Sequence, residues 1–337
     1  MIAMFSRKHT TKTVIQVTDT HLTYITLNYS KQGFFISKNE TVELPEGTIL
    51  RGEILKADLL YRILKKLAQH IENTSVDIVL SHDYFLCAEG DLDTSSSHKT
   101  LKKRVADYFK NESKKESWHR THVCEFSYHE VQGREKLLFK CLPKDVQQSY
   151  IHVFQKAGMK IQSLSSDILA FDHVLPYPRA SLIVVGQDTI RVAEFKQGMY
   201  VSHKTFQVSY HQCIQDIMNT LTISETAAQK ILRQYGILRA HKDEKVYRRL
   251  LKSFSPLLEF LSARKIKETS SMFVSFFDVP IKGLVDTLQK TLSIEVQELD
   301  VLATDHYTFQ DILALHRDES YQYQALIAQA LKHWRKE

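Results

Sequence analysis

The chain has 337 residues, 43% hydrophobic and 25% charged, with a formal net charge of +6. That length allows two ordinary domains or one large two-lobed one. Its longest apolar runs, such as LIVV at 182–185, fall far short of the roughly 18–20 residues a membrane span needs, and the opening MIAMFSRKHTTK lacks the apolar core of a secretory signal, so a cytoplasmic protein is expected.

Residues 13–28 and 32–43 are dense in β-branched and aromatic side chains and read as strands, with Gly33 at the turn between them. In LKADLLYRILKKLAQHI, Leu60, Leu64, Leu67 and Ile71 recur at helical spacing and predict an amphipathic helix of about four turns. VDIVLS follows as a short buried strand. Residues 84–88 read as a strand that leads through the polar loop GDLDTSSSHKT into a helix at about 100–110. Two strands around Gly133, a helix at 144–157 that Gly158 can end in the left-handed conformation, and a strand at 160–164 complete a β-α-β-β-α-β insertion.

The prolines of PYPRA, 176–180, hold the chain extended and mark the best domain boundary. LIVVGQDTIRVAEFKQG, 182–198, then repeats the strand, turn, strand opening of the first half, the trace of a duplicated two-lobed fold. A helical block at about 211–268 has Ser224 as N-cap and Gly236 as a stop. MFVSFF reads as a buried strand, GLVDTLQKTL as a short helix, IEVQELDVL as a strand and YQYQALIAQALKHW as the closing helix. The expected divisions are a tail at 1–12, a first lobe at 13–80 and 165–178, an inserted subdomain at 81–164 and a second lobe at 179–337.

Four cysteines, Cys87, Cys124, Cys141 and Cys213, are far apart with no CxxC among them, so reduced thiols are expected rather than a zinc knuckle or disulfide framework. In WHRTHVCEF, strand alternation turns His119 away from His122 and Cys124, and no metal site is expected. Two segments carry most of the positive charge: 99–120, with eight basic residues against three acids, and 230–252, with eight against two. Both mix charge with apolar residues at helical spacing and read as solvated helix faces, with a membrane-facing or partner-facing surface as the alternative and no nucleic-acid role expected. Ser81, His82 and Asp83 are consecutive, so their side chains point apart and make no catalytic triad.

Placed in order, several phrases resemble the actin-like ATPase superfamily, and within it the PilM family of type IV pilus assembly proteins, relatives of FtsA. LFKCLPKDVQQSYIHVFQKAGMKIQSLSSDILAF is similar to the strand, helix and strand that close the family's inserted subdomain. EFKQGMYVSHKTFQV resembles its second hairpin, SETAAQKILRQYGI the helix after the second phosphate loop, IKGLVDTLQKTLSIEVQELDVL a later helix and strand, and ALIAQALK its closing helix. The resemblance spans about 12–334. It implies an α/β, two-lobed, actin-like (ribonuclease H-like duplicated) fold with an inserted subdomain in the first lobe.

The resemblance also implies three nucleotide loops, and the chain departs from each. In VIQVTDTHLTYITLN the family's Asp falls on Gln16 and its Gly on Thr18. In the second hairpin the Asp falls on Val184, Gly186 is kept, and the following Thr falls on Ile190. The Gly-Gly pair that lets adenosine approach the backbone falls on Phe276 and Phe277. Gln supplies no anionic charge for Mg2+, Val supplies no ligand, and two phenyl rings would fill an adenosine site. Asp19 and Asp188 are the residues that could rescue ATP and Mg2+ binding. The expectation is therefore a pseudo-ATPase without cofactor, catalytic residue or metal: a cytoplasmic scaffold peripheral to the inner membrane. By the resemblance it holds the N-terminal peptide of a PilN-like bitopic protein between the first lobe and the region 81–167. Motor ATPases, platform proteins and self-association are further implied partners. The alternatives are an ATP-regulated protein of the same kind and the cytoplasmic part of a type II secretion L-like protein.

Overall fold

The computed structural model describes residues 11–91, 103, 122–131, 134–175, 179–196, 198–237, 244–263, 271–276, 280–303, 309 and 320–334. The expected helix at 100–110 apart from Lys103, Gly133, His119, the prolines of PYPRA and Phe277 lie outside them. The chain forms two compact units, Met1–Ala170 with Gln329–Glu337, and Phe171–Ala328.

The first unit is built on a five-stranded sheet of β1 (Thr11–Val17), β2 (His21–Ser30), β3 (Gly33–Glu43), β6 (Ser75–Leu80) and β10 (Lys160–Ser166), in the order β10-β6-β1-β2-β3. β1, β2 and β3 are antiparallel, whereas β1, β6 and β10 run parallel. The stretch 13–28, expected as one strand, is thus two strands broken at Thr18–Thr20. β-branched alternation continues through the break, and the side chain that makes the turn is itself a threonine. Between β3 and β6 come a short hairpin, β4 (Ile49–Leu50) with β5 (Glu53–Ile54), and helix α1 (Ala57–Ala68).

The inserted part starts with a 3-10 turn, His82–Tyr84, so the strand expected from Tyr84 begins at Leu86. β7 (Leu86–Asp91), β8 (His122–Val131) and β9 (Arg134–Pro143) form a separate sheet in the order β7-β9-β8. Helix α2 (Lys144–Lys156) follows and ends where Gly158 turns left-handed (φ 85°), its N–H bonded to Gln155 O at 3.0 Å while Met159 N bonds Phe154 O at 2.9 Å. Leu60, Leu64 and Leu67 of α1 and Tyr150, Val153 and Phe154 of α2 bury against Ile15, Val17, Ile78 and Leu80 in one core. Cys141 is disulfide-bonded, contrary to the expectation of reduced thiols throughout. On the β8-β9 ladder its directly opposed residue is Cys124. Opposed positions on antiparallel strands have about the Cα separation a disulfide requires.

The second unit repeats the arrangement. β11 (Arg179–Val185), β12 (Ile190–Lys196), β13 (Met199–Phe206), β14 (Met272–Phe276) and β15 (Val296–Glu298) form a sheet ordered β13-β12-β11-β14-β15. Again the first three strands are antiparallel and the last two run parallel to the first. The same order twice in one chain is a duplicated fold. The expected helical block is three helices: α3 (Tyr210–Leu221), α4 (Glu225–Tyr235), and α5 (Glu244–Ala263). Ser224 caps α4 by accepting from Ala227 N, and Gly236 ends it. Pro256 inside α5 removes one donor to the Lys252 carbonyl, and Ser255 Oγ donates to that carbonyl instead, at 2.8 Å. Helix α6 (Leu284–Leu292) and the closing helix α7 (Gln324–Leu331) complete the chain.

Candidate functional site

In each sheet the parallel strands send their following loops out at one end, where open α/β sheets bind ligands. In the first unit these loops follow Val17, Leu80 and Ser166. A phosphate-binding turn must offer outward N–H groups. Here Thr18 N donates to His21 O at 3.0 Å, and Thr18 Oγ1 accepts from Thr20 N at 3.3 Å and His21 N at 3.0 Å. Three donors of the turn are therefore used within it.

Asp19 is engaged as fully. One carboxylate oxygen, Oδ2, accepts from Arg51 N at 2.7 Å; the other, Oδ1, accepts from Gly52 N at 3.2 Å and from the Tyr84 hydroxyl at 2.9 Å. Burial, and after it the charge of Asp19, push the Tyr84 pKa well above the usual tyrosine value, so the hydroxyl keeps its proton and donates. Both residues of the β4-β5 turn are left-handed, Arg51 at φ 49° and Gly52 at φ 79°. A Cβ on Gly52 would stand 2.5 Å from the Tyr84 ring. The proposed rescuing carboxylate thus already holds a protein loop.

Gln16 lies within the sheet between Thr23 and Val79, 3% exposed, and its Oε1 has no hydrogen-bond partner among the described residues. His82 is fully buried with Nδ1 2.7 Å from Ser166 Oγ, while Ser81 Oγ approaches Asp83 at 3.4 Å. The three consecutive residues make no triad.

In the second unit the loop after β11 closes with Gly186 N on Thr189 O at 2.9 Å. A Cβ on Gly186 would lie 2.9 Å from that same oxygen, so the turn itself requires glycine. Its retention needs no nucleotide to explain it. The carbonyls of Gly186 and Gln187 accept from Tyr210 N at 3.2 Å and His211 N at 3.0 Å, Ser209 Oγ accepts from Gln212 N, and Cys213 N returns to Ser209 O. The first N–H groups of α3, an anion site when free, are all satisfied. Asp188 is exposed and lies 3.1 Å from His211 Nδ1. Val184 is buried between Arg191 and Ser275 on the neighbouring strands, and Ile190 is in the core. Phe276 is also core, 2% exposed, its ring edge-on to Tyr321 with centroids 6.3 Å apart. Thr18 and Asp19 therefore share one turn, and Gly186 and Asp188 another. Asp19 is held by protein donors, and Asp188 stands exposed beside His211.

Tyr84, Arg51 and Gly52 are the residues that sequence reading missed. The only local signal was the Arg-Gly turn in ILRGEIL; their relation to Asp19 spans 32 to 65 positions.

No family model matches the chain, and no curated protein matches it. Solved structures do. A chain of the PilM-PilN type IV pilus biogenesis complex is 12% identical, with a TM-score of 0.75 over 97% of this chain and 100% of that one. MreB5 of Spiroplasma citri bound to ADP and MreB 5 of Spiroplasma citri bound to AMPPNP are each 10% identical, with a TM-score of 0.55 over 96% of both chains. The protein has the actin-like ATPase fold. Within that fold its likeness to the pilus-complex chain exceeds its likeness to either MreB structure.

Proposed function

We propose that this chain is a non-enzymatic scaffold of a type IV pilus-like inner-membrane platform, holding the N-terminal cytoplasmic peptide of a PilN-like bitopic protein. Its likeness to a chain of the PilM-PilN complex supports the reading. One observation on the chain itself carries it. Among the described residues, every exposed large hydrophobic (Tyr29, Leu50, Leu55, Leu86 and Ile151) belongs to the first unit. Four of the five lie on or beside a chain of neighbouring elements: Leu50 and Leu55 on and beside the β4-β5 hairpin, Ile151 on α2, Leu86 at the start of β7. β5 packs on α2, α2 packs on β9, and β9 pairs with β7. Exposed apolar side chains on neighbouring elements favour a protein-binding surface. A peptide held there needs shape and a few hydrogen bonds, and no metal.

No helix among the described residues is long and apolar enough to cross a membrane, and a peripheral place on the cytoplasmic face would be set by the partner. The test is calorimetric titration with a synthetic peptide of the PilN-like protein's N-terminal segment. Saturable binding that Leu86→Asp abolishes is expected; no binding by folded protein would end the reading.

A nucleotide-dependent version of the same scaffold has one observation in its favour. The N–H groups of Gln187 and Thr189 at the second turn have no partner among the described residues. Titration with ATP and Mg2+ separates the two readings.

A further inference from the structure

A hairpin of two-residue strands cannot hold itself in water. The β4-β5 hairpin is held at three points: its core-facing side, its base and its tip. Ile49 and Ile54 are opposed on the ladder and face the core of the first unit. Lys56 Nζ donates to Glu46 O at 2.8 Å, and Thr48 O accepts from both Leu55 N and Lys56 N, closing the base of the hairpin. At its tip, Asp19 takes both turn amides, and the Tyr84 ring covers Gly52. The tip is the part under strain, since the two-residue turn sets Arg51, a non-glycine residue, in a left-handed backbone.

What this clamp displays is apolar. Leu50 alternates on β4 with the buried Ile49, and Leu55 follows the end of β5. They are 55% and 56% exposed. The charges beside them, Glu46, Arg51, Glu53 and Lys56, sum to zero, so the hairpin gives no net charge to steer a partner.

We infer that Asp19 is a positioning residue whose ligand is the Arg51–Gly52 turn, and that by fixing this turn it presents Leu50 and Leu55 to an apolar segment of the partner peptide. The docking half of this rests on the scaffold reading above; the positioning half does not. In this chain the carboxylate beside the first phosphate turn organises a protein loop. Tyr84 is shared between that carboxylate and the 3-10 turn that leads into β7, so the hairpin and the start of the inserted sheet are fixed by one hydrogen-bonded group.

The test uses the full chain and two readouts, hydrogen exchange at the Arg51 and Gly52 amides and calorimetric titration with the synthetic partner peptide. Asp19→Asn keeps the shape but sets an NH2 group or a neutral oxygen against three donors. Exchange at the two amides is expected to rise about tenfold or more, and peptide affinity to fall about tenfold. Leu50→Ser with Leu55→Ser is expected to weaken the peptide equally with exchange unchanged. Unchanged exchange in Asp19→Asn would overturn the positioning role. Faster exchange with undiminished affinity, or full affinity in the double serine variant, would overturn the docking role. If the wild-type chain binds no peptide, the scaffold reading falls and the docking role with it, while the exchange result still decides what Asp19 does.

Discussion

The Tyr84 hydroxyl donates to Asp19 Oδ1 across 65 positions of sequence, at 2.9 Å. A hydrogen bond to a charged acceptor in a half-buried place is worth about 1.5–3 kcal/mol. Tyr84→Phe is expected to lower unfolding stability by about that amount. Gly52→Ala should cost more, because its methyl meets the Tyr84 ring and its backbone is left-handed. Urea unfolding of both variants checks the order. A Gly52→Ala protein as stable as the parent would mean the ring does not cover the turn.

Titration with ATP and Mg2+ to millimolar ligand is expected to give no saturable heat. Asp19→Ala and Asp188→Ala should leave that result unchanged. Saturable binding lost in either variant would restore a nucleotide site at these turns.

The cysteines predict a pH dependence. Burial, with Asp216 adding to it, raises the Cys213 thiol to about 12; burial raises Cys87 to about 12 against the lowering effect of Lys140. Unfolded thiols titrate near about 8.5. The folded state thus keeps protons that the unfolded state releases, so this contribution is whole below about pH 8.5 and declines as pH rises toward 12. Urea midpoints should fall between pH 7.5 and 9.5, less so in Cys213→Ala. In denaturant, Cys87 and Cys213 should alkylate without reductant and Cys141 only after reduction.

Asp216 of α3 is 3% exposed and is held by Arg249 Nε at 3.0 Å and Ser253 Oγ at 2.6 Å, both from α5. Arg249 is half exposed, so its share is screened, and Arg249→Ala is expected to cost about 1–3 kcal/mol by stranding a buried carboxylate. Arg249→Ala with Asp216→Asn should recover part of the loss. A double variant worse than the single would show that Asp216 does not depend on Arg249.

Local rules made much of the fold legible. Leu60, Leu64 and Leu67 gave α1 by their spacing, Ser224 and Gly236 bounded α4, and Gly158 ended α2, because each signal is complete within one or two turns of chain. Residue pattern alone ran 13–28 as one strand, because Thr18 closes its turn through a hydroxyl that strands also tolerate, and only the resemblance marked a loop there. The opposition of Cys124 and Cys141 needed the hairpin register, which spacing alone does not fix. At the candidate site, the burial of Val184 and Phe276 follows from their apolar strands, whereas the partners of Asp19 could not be read from the sequence. They arrive from a hairpin and a 3-10 turn whose positions depend on the folded core.

The first unit is discontinuous: it ends at Ala170 and resumes at Gln329, after the whole of the second. Its last part is tied in by Lys332 Nζ on Leu169 O and by Trp334 edge-on to Phe34. On a ribosome adding about 5–20 residues per second, the segment between takes on the order of 8–30 s to appear. For that time the emerging first unit lacks the piece that closes it, while the second is continuous and can fold as it emerges. Order of synthesis and order of completion are therefore reversed in this chain.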